Sequence, residues 1–64
     1  MTKQEAIQAL KEGHKVRHKL FSNDEYLYME NGELCDEVCT YLPFDEFFEL
    51  RSGKDWEDGW LIIY

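Results

Sequence analysis

Apolar residues recur at two different periods along this 64-residue chain. Between Lys3 and Glu12, the residues Ala6, Ile7 and Leu10 fall at helical spacing and make one apolar stripe. Thr2 followed three residues later by Glu5 forms a capping box ahead of that stripe. Gly13 supplies the left-handed stop. The pattern predicts a helix over roughly Lys3 to Glu12. Past Gly13 the period falls to two. Lys15, Arg17, Lys19 and Phe21 then share one face of a strand, with Val16, His18 and Leu20 on the other.

Ser22-Asn23-Asp24 is a turn cluster, and Tyr26 to Met29 reads as the next strand. Asn31-Gly32 predicts a type I′ hairpin, because both central positions of that turn need positive φ. Glu33 to Asp36 should return antiparallel to Tyr26–Met29. Pro43 ends whatever precedes it, and Asp45 can open a short turn. Glu46 to Arg51 fits a strand or a single helical turn, with strand the preferred reading, Ser52 to Asp55 reads as a turn, and Trp60 to Tyr64 as a final strand rich in β-branched and aromatic residues. The expected fold class is α+β: one N-terminal helix packed on a small antiparallel β-sheet, a single domain over residues 1–64.

A chain this short buries only about 60% of the surface its unfolded form exposes. Four Phe, four Tyr and two Trp are more large apolar surface than one thin core hides. A homo-oligomer, dimer or tetramer, is therefore expected. The first residues lack the basic start and apolar run of a signal peptide, and no apolar stretch approaches the roughly 20 residues of a bilayer span. The expected setting is the cytoplasm, away from membranes, with Cys35 and Cys39 as free thiols. Charge is divided unevenly. Residues 1–23 carry five bases against two acids, a local +3, whereas residues 24–64 carry twelve acids against Arg51 and Lys54, a local −10. The overall −7 disfavours nucleic acid, whose binders gain affinity by displacing counterions from phosphate. It suits a basic protein partner, while the basic strip near the N-terminus can hold a small anion.

His14 with His18, and Cys35 with Cys39, suggest zinc at first sight. In strands, however, four residues span about 13 Å, too far for both members of a pair to reach one ion. Cys35 is expected to be a small core residue and Cys39 a loop thiol. No glycine-rich phosphate loop and no nucleophile–base motif occurs, so neither an enzyme nor a cofactor is expected. Asp55, Glu57 and Asp58 read as a solvated acidic turn. Two constellations remain. Lys15, Arg17 and Lys19, ending on Phe21, offer charge for phosphate and a ring for a base; paired instead with acids of a neighbouring strand, they would be ordinary surface charges. Trp56 and Trp60 flank Glu57-Asp58-Gly59 and would share a face in an extended segment, as core or as a binding hot spot.

The segment from Glu5 to Lys19, with Leu10-Lys11-Glu12-Gly13 and then Lys15-Val16-Arg17, resembles the start of the phage Thoeris anti-defense 2 family. Members have a short helix ending in Leu-Lys-Glu-Gly, a basic strand leading to a Gly-Trp turn, and Asp-Trp before the last strand. The resemblance implies an anti-defence sponge: oligomers that hold a cyclic nucleotide immune signal between protomers without cleaving it. Phe21 falls where the family has its Trp, and Leu20 replaces the Gly before it. Trp60 is similar to the closing Trp, with Gly59 in place of Asp, and Asp55-Trp56 is an alternative match. The implied ligand-binding residues are Lys15, Arg17, Lys19, Phe21, Trp56 and Trp60, and the implied ligand is a nucleotide-derived small-molecule signal. The alternative function is an acidic inhibitor that blocks a basic surface on another protein, in the manner of a nucleic-acid mimic.

Overall fold

A computed structural model describes residues 1–64. Helix α1, Lys3–Lys11, begins at the capping box: the Thr2 hydroxyl accepts from the Glu5 amide and the Glu5 carboxylate accepts from the Thr2 amide. It ends where Gly13 takes φ 94° and the His14 amide returns to the Ala9 carbonyl. Ala6, Ala9 and Leu10 form the buried side of the helix.

Four strands follow in antiparallel order: β1 Lys15–His18, β2 Leu27–Glu30, β3 Glu33–Asp36 and β4 Tyr41–Leu42. Asn31 at φ 53° and Gly32 at φ 80° make the expected type I′ turn between β2 and β3. The last strand, β5 Trp60–Ile63, pairs with β1, so the sheet order is β4-β3-β2-β1-β5. The fold is α+β, an N-terminal helix on a five-stranded antiparallel sheet. No helix is long and apolar enough to cross a membrane.

Three local readings are corrected. Glu46–Arg51 is not a strand; Phe44–Leu50 forms helix α2, with Pro43 as its N-cap. Phe44, Phe47 and Phe48 stand three and four residues apart, which gathers all three rings toward the core. Trp56 is not extended either, because Lys54–Glu57 forms a short helix α3. Finally, the strand alternation stops at His18. A tight turn follows, in which the Phe21 amide donates to the His18 carbonyl, so Lys19 and Phe21 do not continue the face of Lys15 and Arg17.

Strand alternation divides the sheet into two unlike faces. Val16, His18, Leu27, Leu34 and Trp60 lie on the face covered by the helices and are buried with Leu10 and Phe48. Lys15, Arg17, Tyr28, Glu30, Glu33, Cys35, Tyr41, Leu61 and Ile63 lie on the other face, which no helix covers.

Candidate functional site

The six residues expected to bind a ligand divide between the two faces. Trp60 is fully buried, its indole Nε1–H donating to the Trp56 carbonyl at 2.8 Å. Its ring meets His18 edge-on at 4.9 Å, Phe48 at 5.7 Å and Phe21 at 5.8 Å between centroids. Enclosed in this way, Trp60 has no free face for a base, and its role as a stacking residue is corrected to a core one. Trp56 and Phe21 are half-buried against the same cluster, 6.1 Å apart.

At the centre of the cluster stands His18, which sequence reasoning weighed only as a metal ligand. It is fully buried. Its Nδ1 accepts from the Leu20 amide at 3.0 Å, so the ring hydrogen lies on Nε2 and donates to the Asp58 carbonyl at 2.7 Å. Both ring nitrogens thus tie the turn after β1 to the residue before Gly59. Gly59 itself has φ 91°, and a Cβ there would stand 3.1 Å from His18 Nε2 and 3.0 Å from the Lys19 stem. His18, Trp56, Trp60 and Phe21 are a structural knot.

The cations separate from it. Lys15 is exposed, with its ammonium 5.1 Å above the Tyr26 ring. Arg17 is half-buried and bends along the chain, donating from Nη2 to the Phe21 and Ser22 carbonyls at 3.3 and 3.5 Å. Its Nε is buried without a partner. Lys19 is exposed over Gly59. None of the three has a carboxylate within 4.0 Å, since the one ion pair of the molecule joins the N-terminal ammonium to Asp58 at 3.6 Å.

A cleft of about 160 Å³ opens between the start of β2 and helix α2. Phe21, Tyr26 and Phe47 line it, with Leu27, Leu42, Arg51 and the acidic residues Glu25, Asp36 and Glu37. The Arg51 guanidinium lies flat on Phe47, 3.7 Å from the ring centroid, and Nη1 donates to the Phe47 carbonyl at 3.3 Å. Burial lowers the Arg51 pKa, with the nearby Glu25 charge opposing that shift. Glu25 accepts from the Ser22 amide and hydroxyl, both at 2.8 Å, and these bonds hold its carboxyl below the usual range. Asp36 caps the β3–β4 turn by accepting from the Val38 and Thr40 amides. Apart from Phe21, sequence reasoning did not connect these residues. The signal was the i, i+4 spacing of Phe47 and Arg51, meaningful only once the segment is helical.

The thiols offer no nucleophile–base pair. Cys35 is buried, which pushes its thiol pKa up. Cys39 sits exposed at φ 64° with the Tyr28 hydroxyl donating to its sulfur at 3.0 Å, and that bond raises the tyrosine's pKa well above 10. No group of three or more His, Cys, Asp or Glu side chains converges on a point that could hold a metal ion.

The resemblance, over residues 1–21 and more loosely over the last ten, rests on sequence motifs alone. No family model, no curated protein and no solved structure matches this chain.

Proposed function

We propose that this chain is a non-catalytic, acidic binding protein that engages a basic segment of a partner protein in the cytoplasm, seating one lysine or arginine side chain in the cleft between β2 and α2. The carrying observation is the make-up of that cleft: three aromatic and three acidic residues line it against a single, already stacked Arg51. Ring faces and carboxylates together attract a cation. At about 160 Å³ the cleft takes one long side chain and falls below the several hundred Å³ of a typical small-molecule site. The −10 carried by residues 24–64 supports the same assignment by steering a basic partner toward this half of the molecule.

A second reading is capture of a nucleotide-derived signal between protomers, as an anti-defence sponge of phage type. One observation favours it: Lys15 and Arg17 remain without acidic partners on the open face, with Tyr26 beside Lys15. The phosphate would meet these two cations and the base would stack on tyrosine. Phe21 and the tryptophans are committed elsewhere.

Fluorescence titration decides between the two. A labelled Arg/Lys-rich peptide should bind with a dissociation constant of about 10–100 μM, weakening as salt rises. Glu37→Lys in the cleft should weaken it at least about fivefold, roughly 1 kcal/mol. Cyclic and ADP-ribose-derived nucleotides should bind no tighter than about 100 μM. A nucleotide that binds tightly and loses affinity on Lys15→Ala, with no peptide response to Glu37→Lys, would replace the first reading by the second.

A further inference from the structure

Resting on the cleft reading above, we propose that the basic segment received there is an extended one with an apolar residue two positions to either side of its cation. Val38 and Leu50 are the seats for those two apolar residues.

Of the aliphatic side chains, Leu50 and Val38 are the most exposed, at 80% and 70%. A single exposed aliphatic on a protein surface is ordinary. These two differ in position, because each adjoins a residue that lines the cleft. Leu50 precedes Arg51 and stands three residues past Phe47, about 60° around helix α2 from it. The other outward positions of that helix, Asp45, Glu46 and Glu49, are all acidic, so Leu50 is the one apolar residue α2 turns to solvent. Val38 follows Glu37 in the β3–β4 turn, where its amide donates at 3.1 Å to the carboxylate of Asp36, a third lining residue. The cleft thus has an exposed aliphatic on its helix side and another on its hairpin side.

Sheet geometry favours an extended occupant over a helical one. β4 is an edge strand, and the bond from the Asp36 amide to the Thr40 carbonyl makes the next pair, Cys35↔Tyr41, a non-hydrogen-bonded one. The Tyr41 amide and carbonyl therefore point out of the sheet, one residue before Leu42 of the cleft wall. An extended segment can take up those two groups by strand addition, whereas a helix satisfies its own main chain. Side chains two positions apart in such a segment point the same way, so the neighbours flanking a lysine or arginine in the cleft stand about 13 Å apart, one toward each rim. Charge agrees with this placement. Glu37 beside Val38, and Glu46 one turn before Leu50, favour a cationic segment and repel an acidic one.

Fluorescence anisotropy with two labelled peptides tests the two seats. One peptide has leucine, serine, lysine, serine, leucine at its centre, and the other has serine in place of both leucines. The leucine peptide should bind about tenfold more tightly, as expected for partly burying two aliphatic side chains. Leu50→Ser and Val38→Ser should each weaken the leucine peptide about threefold and leave the serine peptide unchanged, the coupling expected of residues in contact. Circular dichroism should show both variants folded, because both side chains are exposed. Equal affinity for the two peptides, or no loss on either serine substitution, while Glu37→Lys still weakens both peptides, would overturn the two seats and leave the cleft reading standing. Indifference of both peptides to Glu37→Lys would overturn the cleft reading and the seats with it. Tighter binding of a helix-stapled peptide, with the same cation and leucines four residues to either side, would overturn the extended occupant.

Discussion

The two faces of the sheet are built from the same strands and do opposite things. On the covered face, alternate residues of β1 and β5 place His18 and Trp60 in register, fully buried under α1 and α2. On the open face, the intervening residues Arg17 and Leu61 are in register too, yet one is half-buried and the other 50% exposed. A single strand pair therefore carries the core of the molecule and a free surface within the width of one residue. The aromatic residues that composition made conspicuous are not interchangeable: the tryptophans hold the fold, and Tyr28 and Tyr41 are the ones left over for contact.

Truncating one residue on each face should have very different effects. Trp60→Ala should remove about 3–5 kcal/mol. That is most of what a domain of this size has, so the variant should be largely unfolded by circular dichroism at room temperature. Leu61→Ala, its immediate neighbour, should change the denaturation midpoint by about 0.5 kcal/mol or less in stability. Equal losses at the two sites would mean the open face is covered after all.

On the covered side, the His18 hydrogen bonds should contribute less than the Trp60 ring. His18→Leu puts an apolar side chain of similar bulk in place of the imidazole and leaves the Leu20 amide and the Asp58 carbonyl without their partner. The expected cost is about 1–3 kcal/mol, seen as a melting temperature lower by several degrees. A variant as stable as the parent would show that the imidazole fills space there and does no bonding of consequence.

The smallest effect concerns acid. Glu25 and Asp58 are both held below their ordinary values of 4.5 and 3.8, Glu25 chiefly by the Ser22 amide and Asp58 chiefly by the Gly59 amide. A carboxyl whose folded pKa is depressed favours folding fully above its unfolded value and loses that contribution as pH falls through the folded one. The urea midpoint should therefore be flat from neutral pH down to about 4.5 and decline below it. Glu25→Gln together with Asp58→Asn should flatten that decline.

The elements legible along the chain are the local ones. Thr2, Glu5 and Gly13 set helix α1, and Asn31-Gly32 set the β2–β3 hairpin, because a cap and a type I′ turn are satisfied by residues a few positions apart. The alternation of β1 was likewise readable as far as His18. Helix α2 was not, since seven residues hold barely two turns of periodicity, and the rings of Phe44, Phe47 and Phe48 favour strand and helix alike until a core is present to receive them. Three further decisions belonged to the tertiary structure alone. The turn at Lys19–Leu20 carried Phe21 off the basic face, the pairing of β5 with β1 enclosed Trp60 against His18, and the packing of α2 beside the start of β2 gathered Tyr26, Glu25 and Arg51 into a cleft. Each of these joins segments distant in the chain, and it is the burial of apolar surface between them, not any local preference, that selects the arrangement.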